Sequence, residues 1–157
     1  MAGIGFNFPW KSVSTLTDLG YESNSDWYLP SLVQLQRMYS VLHLYSLGNF
    51  ANTGVPEDDY YWSSVEGDGG GAWVLWFGDG SSGNYLKTNY DHVRAMRDFT
   101  TVGDLYNLRD TGPSGGLIYY KQFLFGVTWV YEECLTYDQS TSATWAEAVS
   151  ICNNFVN

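Results

Sequence analysis

Apolar residues recur at helical spacing in two stretches of the chain and at every second position in several others. In the first helical stretch, Leu32, Leu35, Met38, Tyr39 and Leu42 fall on one face. Just upstream, Ser31 and Gln34 stand at the spacing of a capping box. The Ser hydroxyl accepts from the backbone three residues on, and the Gln side chain reaches back. The second stretch repeats the device with Thr144 and Glu147, after which Trp145, Ala148, Val149, Cys152 and Phe155 line one side.

Between these helices the pattern is that of short strands. Tyr60–Ser64 is rich in β-formers, and the glycines of Gly67–Gly71 impose a turn or loop. Ala72–Phe77 alternates, with Trp73, Leu75 and Phe77 on one face and Val74 and Trp76 on the other. Gly78-Asp79-Gly80 is a hairpin turn signal. Ser81–Tyr90 is polar with little period. His92–Arg97 reads as a strand with Val93, Ala95 and Arg97 on one side. Gly115–Tyr120 and Phe123–Val130 read as two further strands, and the polar connection Thr100–Pro113 as a loop or linker. The expectation is an α+β fold: two helices packed on small antiparallel sheets with long loops, in one domain over residues 1–157.

Composition narrows the function. The chain is 45% apolar and 15% charged, which is globular rather than disordered. It carries 7 Trp, 13 Tyr and 8 Phe beside 17 Gly, a surplus that fits a recognition surface as well as a core. A net charge of −10 with scattered Lys and Arg argues against nucleic acid as partner. No run reaches the roughly 18–20 apolar residues of a membrane span, so no membrane insertion is expected. The opening Met1–Phe6 lacks the basic start and apolar run of a signal peptide. Cys134 and Cys152 allow either a disulfide or two buried thiols.

A family resemblance rests on particular residues. Asp26-Trp27-Tyr28-Leu29-Pro30-Ser31, Tyr61-Trp62-Ser63-Ser64, Glu66, Ala72-Trp73, Phe77, Gly80, Lys87 and Val93–Arg97 follow in order. With Gly112–Tyr120, Asp138-Gln139-Ser140 and Ala143-Thr144-Trp145 they resemble the Lcl C-terminal type of domain, which shares the C-type lectin fold of formylglycine-generating enzymes. The family order is inverted here. Residues 22–99 resemble the family's C-terminal half and 113–157 its N-terminal half, with 100–112 as linker. A circular permutation is the favoured explanation, over a broken tandem repeat.

The chain resembles more closely the variable proteins of diversity-generating retroelements, in which a fixed frame alternates with diversified positions. That resemblance makes Trp62, Ser63, Ser64, Glu66, Ala72, Trp73, Phe77, Gly80, Lys87, Val93, Arg94 and Arg97 the frame. The ligand-binding positions it implies are Gly67, Asp68, Gly69, Gly70, Gly71, Val74, Trp76, Gly78, Asp79, Ser81, Ser82, Gly83, Asn84, Tyr85, Thr88, Asn89, Tyr90, Asp91 and His92. The small, polar and Tyr-rich character of that set is the mixture used by antibody-like paratopes. Arg94 and Arg97 are expected to satisfy buried backbone or carboxylate groups such as Glu66.

The expected function is a non-catalytic receptor- or adhesin-type module. Its partner would be a protein or glycan on another cell or virion, and its own setting the cell surface, the secreted space or a virion. A structural or interaction domain without a diversified site is the alternative. Catalytic constellations are missing: there is no Gly-x-Ser-x-Gly elbow, neither Cys has a basic neighbour, and His43 and His92 lack partners readable in sequence. No cofactor is expected. Glu57-Asp58-Asp59 reads as a solvated acidic loop, which leaves a structural calcium open.

Overall fold

A computed structural model of the chain describes residues 26–55 and 58–155. Met1–Tyr21 and Glu57 lie outside them. The fold is α+β, with two helices and two small sheets.

Both capping boxes form as the sequence dictates. In α1 (Leu32–Val41) Ser31 caps the Gln34 amide, and the Gln34 side chain accepts from the Ser31 amide at 2.8 Å. In α2 (Trp145–Asn153) Thr144 and Glu147 do the same, the return bond again 2.8 Å. Each satisfies two amides that a helix start leaves without an internal partner. His43 sits in a one-turn helical extension, His43–Tyr45, beyond α1.

The strands are β1 (Tyr60–Glu66), β2 (Gly71–Trp76), β3 (Ser82–Leu86), β4 (Asp91–Val93), β5 (Met96–Val102), β6 (Leu117–Phe125), β7 (Thr128–Cys134) and β8 (Ser140–Ala143). One sheet runs β3-β2-β1-β4-β8 and the other β5-β7-β6. Pairing is antiparallel except where β1 meets β4 in parallel at Tyr61 and His92, so the first sheet is mixed rather than antiparallel throughout.

Side-chain alternation on β1 and β2 buries both faces. Trp62, Ala72 and Val74 join one core with Trp27, Val93, Ala148 and Cys152. Tyr61, Leu75 and Phe77 join another with Leu35, Met38, Leu42 and Phe50. Thus α2 packs on one face of the larger sheet and α1 on the other. The opposed faces of Ala72–Phe77 agree with the sequence pattern.

Four sequence expectations need correction. Ser81–Tyr90 is not patternless: Ser82–Leu86 pairs with β2, and as an edge strand its polar residues are left in solvent. His92–Arg97 is not one strand, because the chain leaves the larger sheet after Val93 and enters the smaller at Met96, with Arg94 and Ala95 buried at the crossing. Phe123–Val130 is not one strand either. Gly126, at φ 61°, turns the chain so that β6 and β7 form a hairpin.

Finally, Thr100–Pro113 is a loop only beyond Val102. Thr100–Val102 completes β5 against β7, and the Arg109 amide donates to Ile118 carbonyl (2.7 Å) while the Ile118 amide donates to Asp110 carbonyl (3.0 Å). The segments before and after Gly112 share both sheets, through β4 with β8 and β5 with β7.

Candidate functional site

Because β1, β2 and β3 pair antiparallel in sequence, the β1–β2 and β3–β4 turns lie together at one end of the larger sheet, where the Lys87 amide donates to the Gly70 carbonyl, and the β2–β3 turn lies at the other end, with the edge strand β3 between them. Asp68, Gly69, Gly70, Gly78, Asp79, Ser81, Thr88, Asn89 and Tyr90 are exposed on the turns, and Ser82 and Asn84 on β3. Tyr90 is 64% exposed. Gly67, Trp76, Gly83 and Tyr85 are half-buried. Tyr85 and Trp76 lie against Tyr60, with ring centroids 4.6 and 6.3 Å away. Trp76 Nε1 is enclosed with no hydrogen-bond partner among the described residues.

Four of the sequence-derived positions do not belong to this surface. Val74 is fully buried, because β2 is covered on both faces and its side chain enters the core with Trp62. Gly71 is buried, and a Cβ there would stand 2.1 Å from Asn84 Oδ1 and 3.0 Å from the Tyr85 carbonyl oxygen. Asp91 is 5% exposed on β4, opposite Ala143 of β8. His92 is half-buried and committed at both ring nitrogens, as described next.

At the start of β1 and β4 lies a buried ionic network. Arg94 is fully buried; its Nε and Nη2 donate to Asp138 Oδ1 at 2.8 and 2.6 Å. Its Nη1 donates to the carbonyls of Gly48 and Leu135 at 2.6 and 2.8 Å, and Nη2 to that of Asn49 at 3.2 Å. The guanidinium also lies 4.0 Å over the Phe50 ring. The second Asp138 oxygen accepts from the Tyr61 hydroxyl at 3.0 Å and from His92 Nδ1 at 2.7 Å.

His92 Nε2 donates to the Asp58 carbonyl at 2.7 Å. Both its partners are acceptors, so the ring must carry two protons and a positive charge. Burial opposes that charge, but the bond to Asp138 and the Asp138 charge outweigh it and hold the His92 pKa above its ordinary value. For Asp138, burial raises the pKa and the hydrogen bond from His92 with the charge of Arg94 lowers it; the net result is below the usual carboxylate range.

The arginines therefore act structurally, but Glu66 is not their partner. Glu66 meets Lys87 Nζ at 2.6 Å on the surface, and Lys87 also lies 4.2 Å over the Trp145 ring. Arg97 pairs with Asp26 at 3.2 Å and donates to the Ser114 hydroxyl. Of the frame, Trp62, Ser63, Ala72, Phe77, Val93 and Arg94 are buried, Trp73 and Gly80 half-buried, and Ser64 and Glu66 exposed. Asp138 entered the sequence reading only through the resemblance, and nothing local marked it as the partner of Arg94, since the ion pair links residues 44 apart.

The acidic loop differs from its solvated reading. Asp59 is fully buried and accepts from the amides of Thr53 and Gly54 at 2.8 and 3.0 Å. It closes its own loop, as Asp residues do in turns. Among the described residues no three His, Cys, Asp or Glu side chains converge as metal ligands would.

Cys134 and Cys152 are buried thiols in different core clusters, so the disulfide alternative is not realised. Burial pushes both thiols up to about 12. No described helix is long and apolar enough to cross a membrane. No protein-family model matches the chain, and no curated protein or solved structure does either.

Proposed function

We propose that this chain is a non-catalytic ligand-binding domain of C-type lectin-like fold in permuted order, related to the variable proteins of diversity-generating retroelements. Its binding surface runs along the edge strand β3, from the β2–β3 turn at one end of the sheet to the β1–β2 and β3–β4 turns at the other, and its partner is a protein or glycan on another cell or virion. The observation that carries the reading is the division between positions. Asp68, Asp79, Ser82, Asn84, Thr88 and Tyr90 stand in solvent above anchors, Trp62, Ala72, Phe77, Val93 and Arg94, that are fully buried. Such a division lets the outer residues change without disturbing the core. Permutation is supported by the antiparallel pairing of β5 with β7, which ties together the two segments that it would bring into one order.

A displayed library varied at those six exposed positions tests the reading. Surface changes cost within about 0.5 kcal/mol each, so most members should melt close to the parent while differing in what they bind. Loss of folding in most members would count decisively against it.

A second reading, a structural or interaction domain, is favoured by one feature away from the turns. At the tip of the β6–β7 hairpin, Phe123, Leu124, Phe125 and Val127 are exposed at 48, 42, 72 and 60%, beside Val102 at 76%. A large apolar patch of this kind marks a contact surface. A stable oligomer by light scattering, dissociated by Phe125→Ser, would establish that role.

A further inference from the structure

Beside Tyr90 the surface dips into an open cleft of about 390 Å³ between β8 and α2, lined by Tyr90, Ser140, Ser142, Glu147, Ser150 and Ile151. That volume falls within the range of small-ligand sites. We propose that this cleft is a saccharide subsite that takes a neutral sugar residue. The proposal rests on the preceding reading only at Tyr90, which the turns and the cleft share; the other walls lie outside the turns.

The chemistry of the lining selects the ligand. Tyr90 offers an aromatic face at the rim, 64% exposed. Amphipathic rings of this kind give a pyranose its stacking surface at low entropic cost. Opposite are hydroxyls that both donate and accept, as sugar hydroxyls do. Glu147 accepts from the Thr144 amide and hydroxyl through Oε2 only, at 2.8 and 2.7 Å. Its Oε1 remains able to accept from a ligand hydroxyl.

Charge removes the anionic alternatives. No Lys or Arg lines the cleft, the nearby Lys87 is paired with Glu66, and the whole chain carries −10. Phosphate, sulfated or sialylated ligands would meet repulsion from Glu147. An extended peptide added to the β8 edge is disfavoured for a different reason. The Ser142 amide already donates to Ser140 Oγ at 3.1 Å, so the edge is locally capped by its own side chain.

Lactose, cellotriose and chitotriose, with sialyllactose as the anionic control, can be titrated against the full chain by saturation-transfer NMR. An open site of this size should hold at least one neutral probe with a Kd of about 1 mM. Tyr90→Ala, and Ser142→Trp, which plugs the cleft, should each weaken binding by tenfold or more, while Val33→Ala, an exposed change on α1, leaves it unchanged. Melting temperatures of all three variants establish that they are folded.

Binding by none of the neutral probes, equal binding after Ser142→Trp, preference for sialyllactose, or occupation of the β8 edge by a peptide would each overturn the proposal. Failure of the library experiment with saccharide binding intact would sink the hypervariable surface and leave the cleft standing.

Discussion

Replacing Asp138 with alanine should be among the costliest single changes in the molecule. The carboxylate receives two bonds from Arg94, one from His92 and one from Tyr61, and Arg94 has no exposure to water that could compensate its loss. Removing one member of a buried pair costs about 3–5 kcal/mol, because the remaining charge is left in a medium that solvates it poorly. Domains of this size have about 5–15 kcal/mol in all.

With about 2–4 °C of melting temperature per kcal/mol, the variant should melt roughly 6–20 °C below the parent. Urea unfolding followed by tryptophan fluorescence at pH 7 supplies the free energy directly. The double replacement Arg94→Met with Asp138→Leu should cost less than the sum of the singles, by at least about 1 kcal/mol, since it removes both charges together. A single Asp138→Ala variant less than about 1 kcal/mol below the parent would mean that Arg94 finds water or another acceptor, and that this network does not hold the core together there.

Stability should also fall as pH rises through the weakly acidic range. Burial lifts Asp91 from 3.8 to about 6, so its penalty is absent below pH 3.8, grows up to about pH 6 and persists above. His92, whose folded pKa is raised, adds stability that is complete below about pH 6.5 and fades as pH climbs through the raised value. Asp91→Asn should therefore stabilise the chain by about 1–3 kcal/mol at pH 7 and hardly at all near pH 4; a pH profile parallel to the parent's would refute this. Both thiols should resist an aromatic disulfide reagent until the chain unfolds, and reductant should leave the melting temperature unchanged; rapid labelling of the native chain would contradict their burial.

The sequence revealed those features whose causes are local. Ser31 with Gln34 and Thr144 with Glu147 announce helix starts because the bonds concerned span three residues. The alternation in Ala72–Phe77 fixed its two faces but left open whether both were buried, so it could not oppose the resemblance that set Val74 among the binding positions. Strand β3 escaped notice because an edge strand exposed on both faces has little apolar rhythm to read.

The break at Arg94–Ala95 was hidden for the opposite reason: apolar residues continue through it, from one core to the next. The resemblance set Asp91 and His92 among the binding positions, although His92 opens an expected strand. Their burial depends on β8 and Asp138, some fifty residues later in the chain, and no local pattern carries that information.

Strand β1 serves as a dividing wall, with Tyr61 pressed into one core and Trp62 into the other. A one-residue slip would exchange these two side chains between compartments shaped for different rings, so the strand has a single admissible alignment. The turn over Gly67–Gly70 is thereby released from the task of setting registration. Chains with residues inserted or deleted in that turn should still assemble the same wall, which makes loop length, as well as loop sequence, available for change.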